Sequence, residues 1–442
     1  MKKHIISGIL VTLAILFAIQ AIAQDQFILN ANPAKVPSIA AAYGLTVLNE
    51  DPPHNVALVL GPTSLSDQDV IGEVDSDTNV DYFEVAGQAL APETPANLQL
   101  NQSTTAILDN LAGRTLTTYF GVTTVSNYVN QPAAQIVNLA TAQSTYNATG
   151  GGVVAIIDTG IDPNHPVLQA SVVPGYDFTR NLAGIPNEMN DLAPNIASLL
   201  QSKTAELGKT SVASLNQSTT AILDSNQASS INPANLPPAF GHGTMVAGIV
   251  HLVAPTAKIM PLKAFKADGT ASTYDIIRAI YFATDNGASV INMSFSLVTP
   301  SAEFVRAIDY ATDHGLICVS STGNNGKETM LYPASMVTVL GVASTDNNDQ
   351  RSTFSNYGSS LAHLAAPGEA IVTTYPGNNY AGAWGTSFSA PFVTGTAALL
   401  EQFTPGLTIH DAADAISHAK ALTLSLGYGR LDVLQAIAQV AP

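Results

Sequence analysis

Three residue types that together can break an acyl bond stand far apart in this sequence. Asp158 follows the short apolar run Val153 to Ile157 and opens Asp158-Thr159-Gly160-Ile161-Asp162. His242 stands between glycines in Gly241-His242-Gly243-Thr244. Ser387 lies in Gly385-Thr386-Ser387-Phe388-Ser389-Ala390-Pro391, at the start of a predicted helix. A serine hydroxyl is a poor nucleophile until a base removes its proton, and a carboxylate holds the imidazole in the tautomer that can do so. A fourth residue, Asn324 in Ser321-Thr322-Gly323-Asn324-Asn325-Gly326, carries an amide able to donate to an oxyanion together with the Ser387 N–H. Taken singly, each has a structural explanation: the Asp closes a turn, the His packs, the Ser caps a helix. The conjunction, in the chain order Asp, His, Ser, points to acyl transfer.

The elements that must position these residues are legible from about Gly151 onward. Apolar runs at Val153–Ile157, Lys258–Phe265, Val290–Met293, Leu316–Ser321 and Val337–Val342 read as strands. Helices are expected from His242 to Val250, Ser272 to Asp285, Ala302 to His314 and Pro391 to Phe403. This alternation predicts an α/β fold, a doubly wound parallel sheet with helices on both faces. Sites in such folds sit at the carboxyl ends of the strands, where the motifs fall. Ahead of it, Gln26 to Val85 reads β-α-β-β-α-β, a small α+β unit with its helices on one face. Pro92 and Pro95 mark a linker.

Composition narrows the functions. Sixteen Lys and Arg face 33 Asp and Glu, a net charge of −17, which excludes a broad phosphate-binding surface and hence nucleic acid as a partner. Apolar residues are 46% of the 442, enough for a large core. With the single cysteine Cys318, neither an intrachain disulfide nor a cysteine zinc site can form. Lys2, Lys3 and His4, the apolar run Ile5 to Ile19 and Ala21-Ile22-Ala23 read as a secretory signal peptide over 1–23, cut before Gln24. The alternative is an uncleaved anchor, since the run is near the lower length limit of a spanning helix. On the first reading the protein is secreted or periplasmic, with no stable membrane insertion after cleavage. One decapeptide, Leu-Asn-Gln-Ser-Thr-Thr-Ala-Ile-Leu-Asp, occurs twice, at 100–109 and 215–224; two copies do not make a solenoid.

From Gln131 to Val440 the sequence resembles the subtilisin-like serine proteases, the subtilase family. The resemblance rests on Val154 to Asp162, Gly241-His242-Gly243-Thr244, Val290-Ile291-Asn292-Met293-Ser294, Gly323-Asn324, Phe354-Ser355-Asn356-Tyr357-Gly358, Ala366-Pro367-Gly368 and Gly385-Thr386-Ser387. It implies a serine endopeptidase with Asp158, His242 and Ser387 as the relay and Asn324 in the oxyanion hole. It further implies substrate contacts along Ser294, Phe295, Ser296 and Leu297 and at Leu331, the latter suggesting a small-to-medium apolar P1 residue. The N-terminal unit is similar to the family's inhibitory propeptide. The implied organisation is signal peptide 1–23, propeptide 24–90, linker and processing region 91–130 and catalytic domain 131–442. The expected partners are a polypeptide substrate and the chain's own propeptide, acting on a monomer.

Three departures from the family pattern matter. Ser294-Phe295-Ser296-Leu297 replaces the Ser-Leu-Gly-Gly of many members, which alters the wall that meets substrate. The usual calcium loop after the His is skipped between Ala247 and Pro255, and Val167 stands where the family has a carboxylate, so no cofactor is expected and that calcium site is expected to be absent, while calcium at another site stays open. Asp158 and His242 are 84 residues apart, longer than usual, which assigns 182–238 to a surface insertion near the cleft. Two other readings stay open. One is a catalytically inactive, secreted, peptide-binding scaffold. The other is the related acidic family with a Glu–Asp–Ser set, against which Gly-His-Gly-Thr argues.

Overall fold

The computed structural model describes residues 25–90, 115–201, 214–215, 220–222 and 236–442. The expected signal peptide, the first decapeptide copy and part of the second lie outside them. Among the described residues no helix is long and apolar enough to cross a membrane. The chain divides into two compact units, the first ending at Val85 and the second beginning at Ala86.

The first unit runs β1 (Gln26–Ala31), a helix Val36–Tyr43, β2 (Thr46–Asp51), β3 (Val56–Leu60), a helix Asp67–Val74 and β4 (Val80–Val85), the order expected from sequence. The sheet order is β2-β3-β1-β4, with every pair antiparallel. Alternation buries Phe27, Leu29, Val59 and Phe83 on one face, against Val36, Ile39, Val70 and Val74 of the helices. Gly44 ends the first helix at φ 66°, a left-handed conformation that glycine adopts without strain.

The second unit begins with β5 (Gln88–Leu90), β6 (Leu116–Tyr119) and β7 (Val122–Val125). Gln88–Leu90, within the expected propeptide span, pairs with a strand of this second unit. Residues 115–130, within the expected linker and processing region, pack against it. Tyr119, Val125 and Tyr128 join the main core, and the Tyr128 hydroxyl donates to the Gly248 carbonyl at 2.7 Å.

The central sheet contains β8 (Val153–Asp158), β9 (Gly175–Asp177), β10 (Leu182–Gly184), β13 (Lys258–Lys263), β15 (Val290–Met293), β16 (Ile317–Ser321), β17 (Val339–Thr345) and β18 (Leu364–Pro367). Its order is β10-β9-β13-β8-β15-β16-β17-β18, parallel except at the β10 edge. Helices cover both faces, so the central strands are buried nearly throughout and read as continuous apolar runs. The helices His242–Val253 and Thr386–Phe403 pack together, as do Thr273–Asp285 and Ala302–Asp313. A smaller antiparallel sheet joins β11 (Ser214–Leu215) and β12 (Thr220–Ile222) to β20 (Asn379–Ala383) and β19 (Ile371–Tyr375). β14 (Thr270–Ser272) is the partner of β5.

The last large helix differs from its expected span. It begins at Thr386 rather than Pro391, and Pro391 lies inside it. A proline reads from sequence as a first-turn residue. Here the bond it cannot make is replaced by the hydroxyl of Ser294, the residue after β15.

Candidate active site

Asp158 is the last residue of β8 and is buried. Its carboxylate accepts the Thr159 N–H at 2.7 Å and the His242 Nδ1–H at 2.8 and 2.9 Å. A neutral imidazole held this way has its acceptor at Nε2. His242 opens its helix behind Gly241, which has φ 88°. Two glycines bring the motifs together. A Cβ on Gly243 would lie 2.1 Å from the Gly160 carbonyl oxygen, so only glycine lets the His242 helix dock on the Asp158 turn.

Ser387 is the second residue of the helix Thr386–Phe403 and is 1% exposed. It is not the N-cap; Gly385 is. Its N–H therefore belongs to the first turn, which has no intrahelical acceptor and lies at the positive end of the helix dipole. The His242 ring sits 5.5 Å from that of Phe388, the next residue. Asn324 lies just beyond β16. Its Oδ1 accepts both the N–H and the hydroxyl of Thr386, at 2.9 Å each. That fixes the amide with its nitrogen toward the helix start, where a Cβ on Gly385 would approach Nδ2 at 3.4 Å.

Ser294 follows β15. Pro391 has no N–H to offer the carbonyl four residues back, which is that of Ser387. The Ser294 hydroxyl donates to this carbonyl instead, at 3.0 Å. Ser294 is itself held by Asn292 Nδ2 at 2.9 Å, and the Thr394 hydroxyl donates to Asn292 Oδ1 at 2.8 Å. The Ser387 hydroxyl lies 3.5 Å from the Ser294 carbonyl oxygen. The structure thus gathers Asp158, His242, Ser387, Asn324 and Ser294 at the carboxyl ends of β8, β15 and β16 and the starts of two helices.

The remaining expected residues lie around this cluster. Phe295 is buried against Phe265, with ring centroids 5.2 Å apart. Ser296 is half-buried. Leu297 exchanges two backbone hydrogen bonds with Tyr332, at 2.7 and 2.9 Å. Leu331 lies against the Gly323 backbone beside Asn324; a Cβ on Gly323 would be 2.9 Å from its Cδ1. Val167 is buried. Among the described residues no group of three or more His, Cys, Asp or Glu is arranged to hold a metal ion.

Sequence reasoning missed two neighbours. Lys263, at the end of β13, is buried, and its ammonium donates to the Thr159 and Phe265 carbonyls and to Asp191, at 2.7, 2.8 and 2.9 Å. Glu188 falls within the span expected to be a surface insertion. It is instead fully buried, and accepts the hydroxyls of Thr159 and Thr244. Burial pushes its carboxyl up to about 7, against the pull of those hydroxyls and of Lys263. Within the expected insertion, β10 pairs with β9 at the edge of the central sheet.

Residues 149–432 match the model of the Subtilase family. The chain belongs to the subtilase family. Subtilases are serine-type endopeptidases, and the relatives bear protease names. The chain is 32% identical over 252 residues to a thermophilic serine proteinase of Bacillus sp. (strain AK1), covering 57% of this chain and 52% of that one. It is 36% identical over 196 residues to subtilisin BL of Lederbergia lenta, covering 42% of this chain and 71% of that one. The subtilase fold is also that of fervidolysin from Fervidobacterium pennivorans, a keratinolytic enzyme related to subtilisin. That match has a TM-score of 0.67 at 21% identity, covering 95% of this chain and 61% of fervidolysin. The match thus spans about half the length of the first relative.

Proposed function

We propose that this subtilase is a secreted or periplasmic serine endopeptidase, made as a precursor and working through Asp158, His242 and Ser387. The observation that carries the reading is the hydrogen bond from His242 to Asp158, set beside a serine in the first turn of a helix. His242 Nε2 takes the Ser387 proton as Oγ bonds to the scissile carbonyl carbon. The carbonyl electron pair moves onto oxygen, and Asn324 Nδ2–H and the Ser387 N–H receive the oxyanion. Collapse expels the amine, which leaves with the proton from His242. Water then enters by the same route in reverse and releases the acyl group. Asp158 stabilises the imidazolium throughout without taking its proton. None of these steps requires a metal or cofactor.

Substrate would bind extended, as an added strand. The pairing of Gln88, Ala89 and Leu90 with Ser272, Ala271 and Thr270 supports this, because it occupies the β14 edge with the chain's own antiparallel segment. Ala89 is buried there, which favours a small side chain at the corresponding substrate position. The N-terminal unit would serve as an intramolecular inhibitor, as the family resemblance implies, and be removed by cleavage beyond Leu90. Leu331 beside Asn324 supports a small-to-medium apolar P1 residue. The enzyme would act as a monomer on polypeptides.

A fluorophosphonate probe and N-terminal sequencing test the proposal together. Wild-type protein should be labelled at Ser387 and should lose the N-terminal unit, whereas Ser387→Ala should do neither. A wild-type protein that stays unlabelled and full length would sink the reading and leave a peptide-binding scaffold.

A further inference from the structure

Glu188 sits where a charge is costly, and its contacts suggest why it is retained. Its backbone N–H donates to the Ile161 carbonyl at 3.0 Å, so its position is fixed from the Asp158 turn. Its two oxygens then reach different motifs. Oε1 accepts the hydroxyl of Thr159, the residue after Asp158. Oε2 accepts the hydroxyl of Thr244, two residues after His242, and at 3.2 Å the Thr244 N–H. One carboxylate therefore clasps the turn that carries Asp158 to the helix that carries His242. An apolar side chain would fill this space without a desolvation cost, but could not make the clasp.

We propose that Glu188 is a positioning residue for the Asp158–His242 pair, acting through Thr159 and Thr244, and that its charge state decides which carboxylate receives the Thr159 hydroxyl proton. The inference rests on the relay proposed above. Thr159 has one hydroxyl proton and two carboxylates in reach, Glu188 Oε1 and, at 3.2 Å, Asp158 Oδ1. Its oxygen already accepts the Gly243 N–H at 2.9 Å. With Glu188 ionised, the proton goes to Glu188, and Asp158 keeps only the Thr159 N–H and the imidazole N–H. With Glu188 protonated, its own O–H donates to a threonine oxygen, and the Thr159 proton turns to Asp158. Asp158 is then a weaker acceptor, and the imidazolium is less stabilised. The ionisable groups facing Glu188 are Asp158 from β8, Lys263 from β13 and Tyr375 from β19, with His242 opening the helix that brings Thr244. Lys263 favours the charged form; burial and Asp158 favour the neutral one.

The test compares wild type, expressed as the whole chain and allowed to process itself, with Glu188→Gln and Thr244→Val, reading kcat and KM on a peptide substrate across pH, with fluorophosphonate labelling alongside. Glu188→Gln should lower kcat by roughly ten- to hundredfold, a misplacement-sized effect, with KM nearly unchanged. It should also move the acid limb of the kcat profile to lower pH, because a negative charge has left the neighbourhood of the imidazolium. Thr244→Val, which removes one arm of the clasp and the acceptor of the Asp162 N–H at 2.8 Å but no charge, should lower kcat without moving the limb, and Thr244→Ser, which keeps the hydroxyl, should restore it. It decides the question by kcat if Glu188→Gln does not accumulate folded. An active wild type whose Glu188→Gln form keeps kcat and a superimposable pH profile, losing only melting temperature, overturns this inference alone. A wild type neither active nor labelled overturns the enzyme reading and this inference with it.

Discussion

Asn324 is aimed by its oxygen. Because the Thr386 N–H and hydroxyl both end on Oδ1, the amide has one orientation, with nitrogen toward the Ser387 turn. An oxyanion would therefore meet a donor that needs no reorganisation. Asn324→Ala should lower kcat by about 100- to 1,000-fold with little change in KM, a magnitude carried over from a subtilisin rather than obtained from these distances. Steady-state kinetics on a peptide substrate checks it; a matching rise in KM would assign Asn324 to ground-state binding. Ser294 makes a different kind of contribution. It satisfies a carbonyl orphaned by Pro391. Ser294→Ala leaves that buried oxygen without its side-chain donor and should cost about 1–3 kcal/mol, read as a loss of unfolding free energy in denaturant.

The two helices that carry His242 and Ser387 are set by close backbone approaches. Gly243 is the tightest, with the Gly160 carbonyl oxygen where a Cβ would stand. Gly243→Ala must push the His242 helix off the Asp158 turn, and overpacking of this kind costs about 1–3 kcal/mol. Melting temperature and kcat should fall together, whereas an alanine on Gly72, which meets nothing within 4 Å, should leave kcat unchanged. This packing explains what could be read from sequence. Asp158, His242 and Ser387 were legible because each sits in a short local motif whose glycines and small residues are needed for the approach. β4 was legible to the residue, Val80–Val85, because its pattern is local. Glu188 was not, because nothing near it in sequence marks it: its partners are 29 and 56 residues away. The start of the Ser387 helix was misplaced for the same reason, since the hydroxyl that makes Pro391 tolerable comes from Ser294, 93 residues from the Ser387 carbonyl.

At the scale of the whole molecule, two buried histidines away from the site govern acid stability. His165 Nε2–H donates to the Asn379 carbonyl at 3.0 Å, and its Nδ1 accepts the Val167 N–H at 3.3 Å, so the ring is held neutral. A second proton would have to displace that N–H. Burial lowers His165 to about 4, and His251, buried beside Tyr128, is likewise lowered to about 4, with His165 repelling its charged form. In the unfolded chain each takes its proton near the ordinary value of about 6.5. Between these values the unfolded state binds more protons, so stability is fully present above about 6.5 and is lost as pH falls towards 4. The slope is about 1.4 kcal/mol per pH unit for each histidine, about 3 kcal/mol per unit for the pair. Glu188 acts with the opposite sign. Its folded value of about 7 lies above the ordinary carboxylate range, so the fold holds that proton longer and loses stability as pH rises towards 7. His165→Asn keeps an acceptor for the Val167 N–H but cannot titrate. Relative to wild type, it should flatten the dependence of unfolding free energy on pH by about 1.4 kcal/mol per unit between 4 and 6.5. Glu188→Gln should steepen it over the upper part of the same range. Urea unfolding at a series of pH values measures both, and parallel curves for wild type and His165→Asn would show that this imidazole takes its proton as readily in the folded protein as in the unfolded chain.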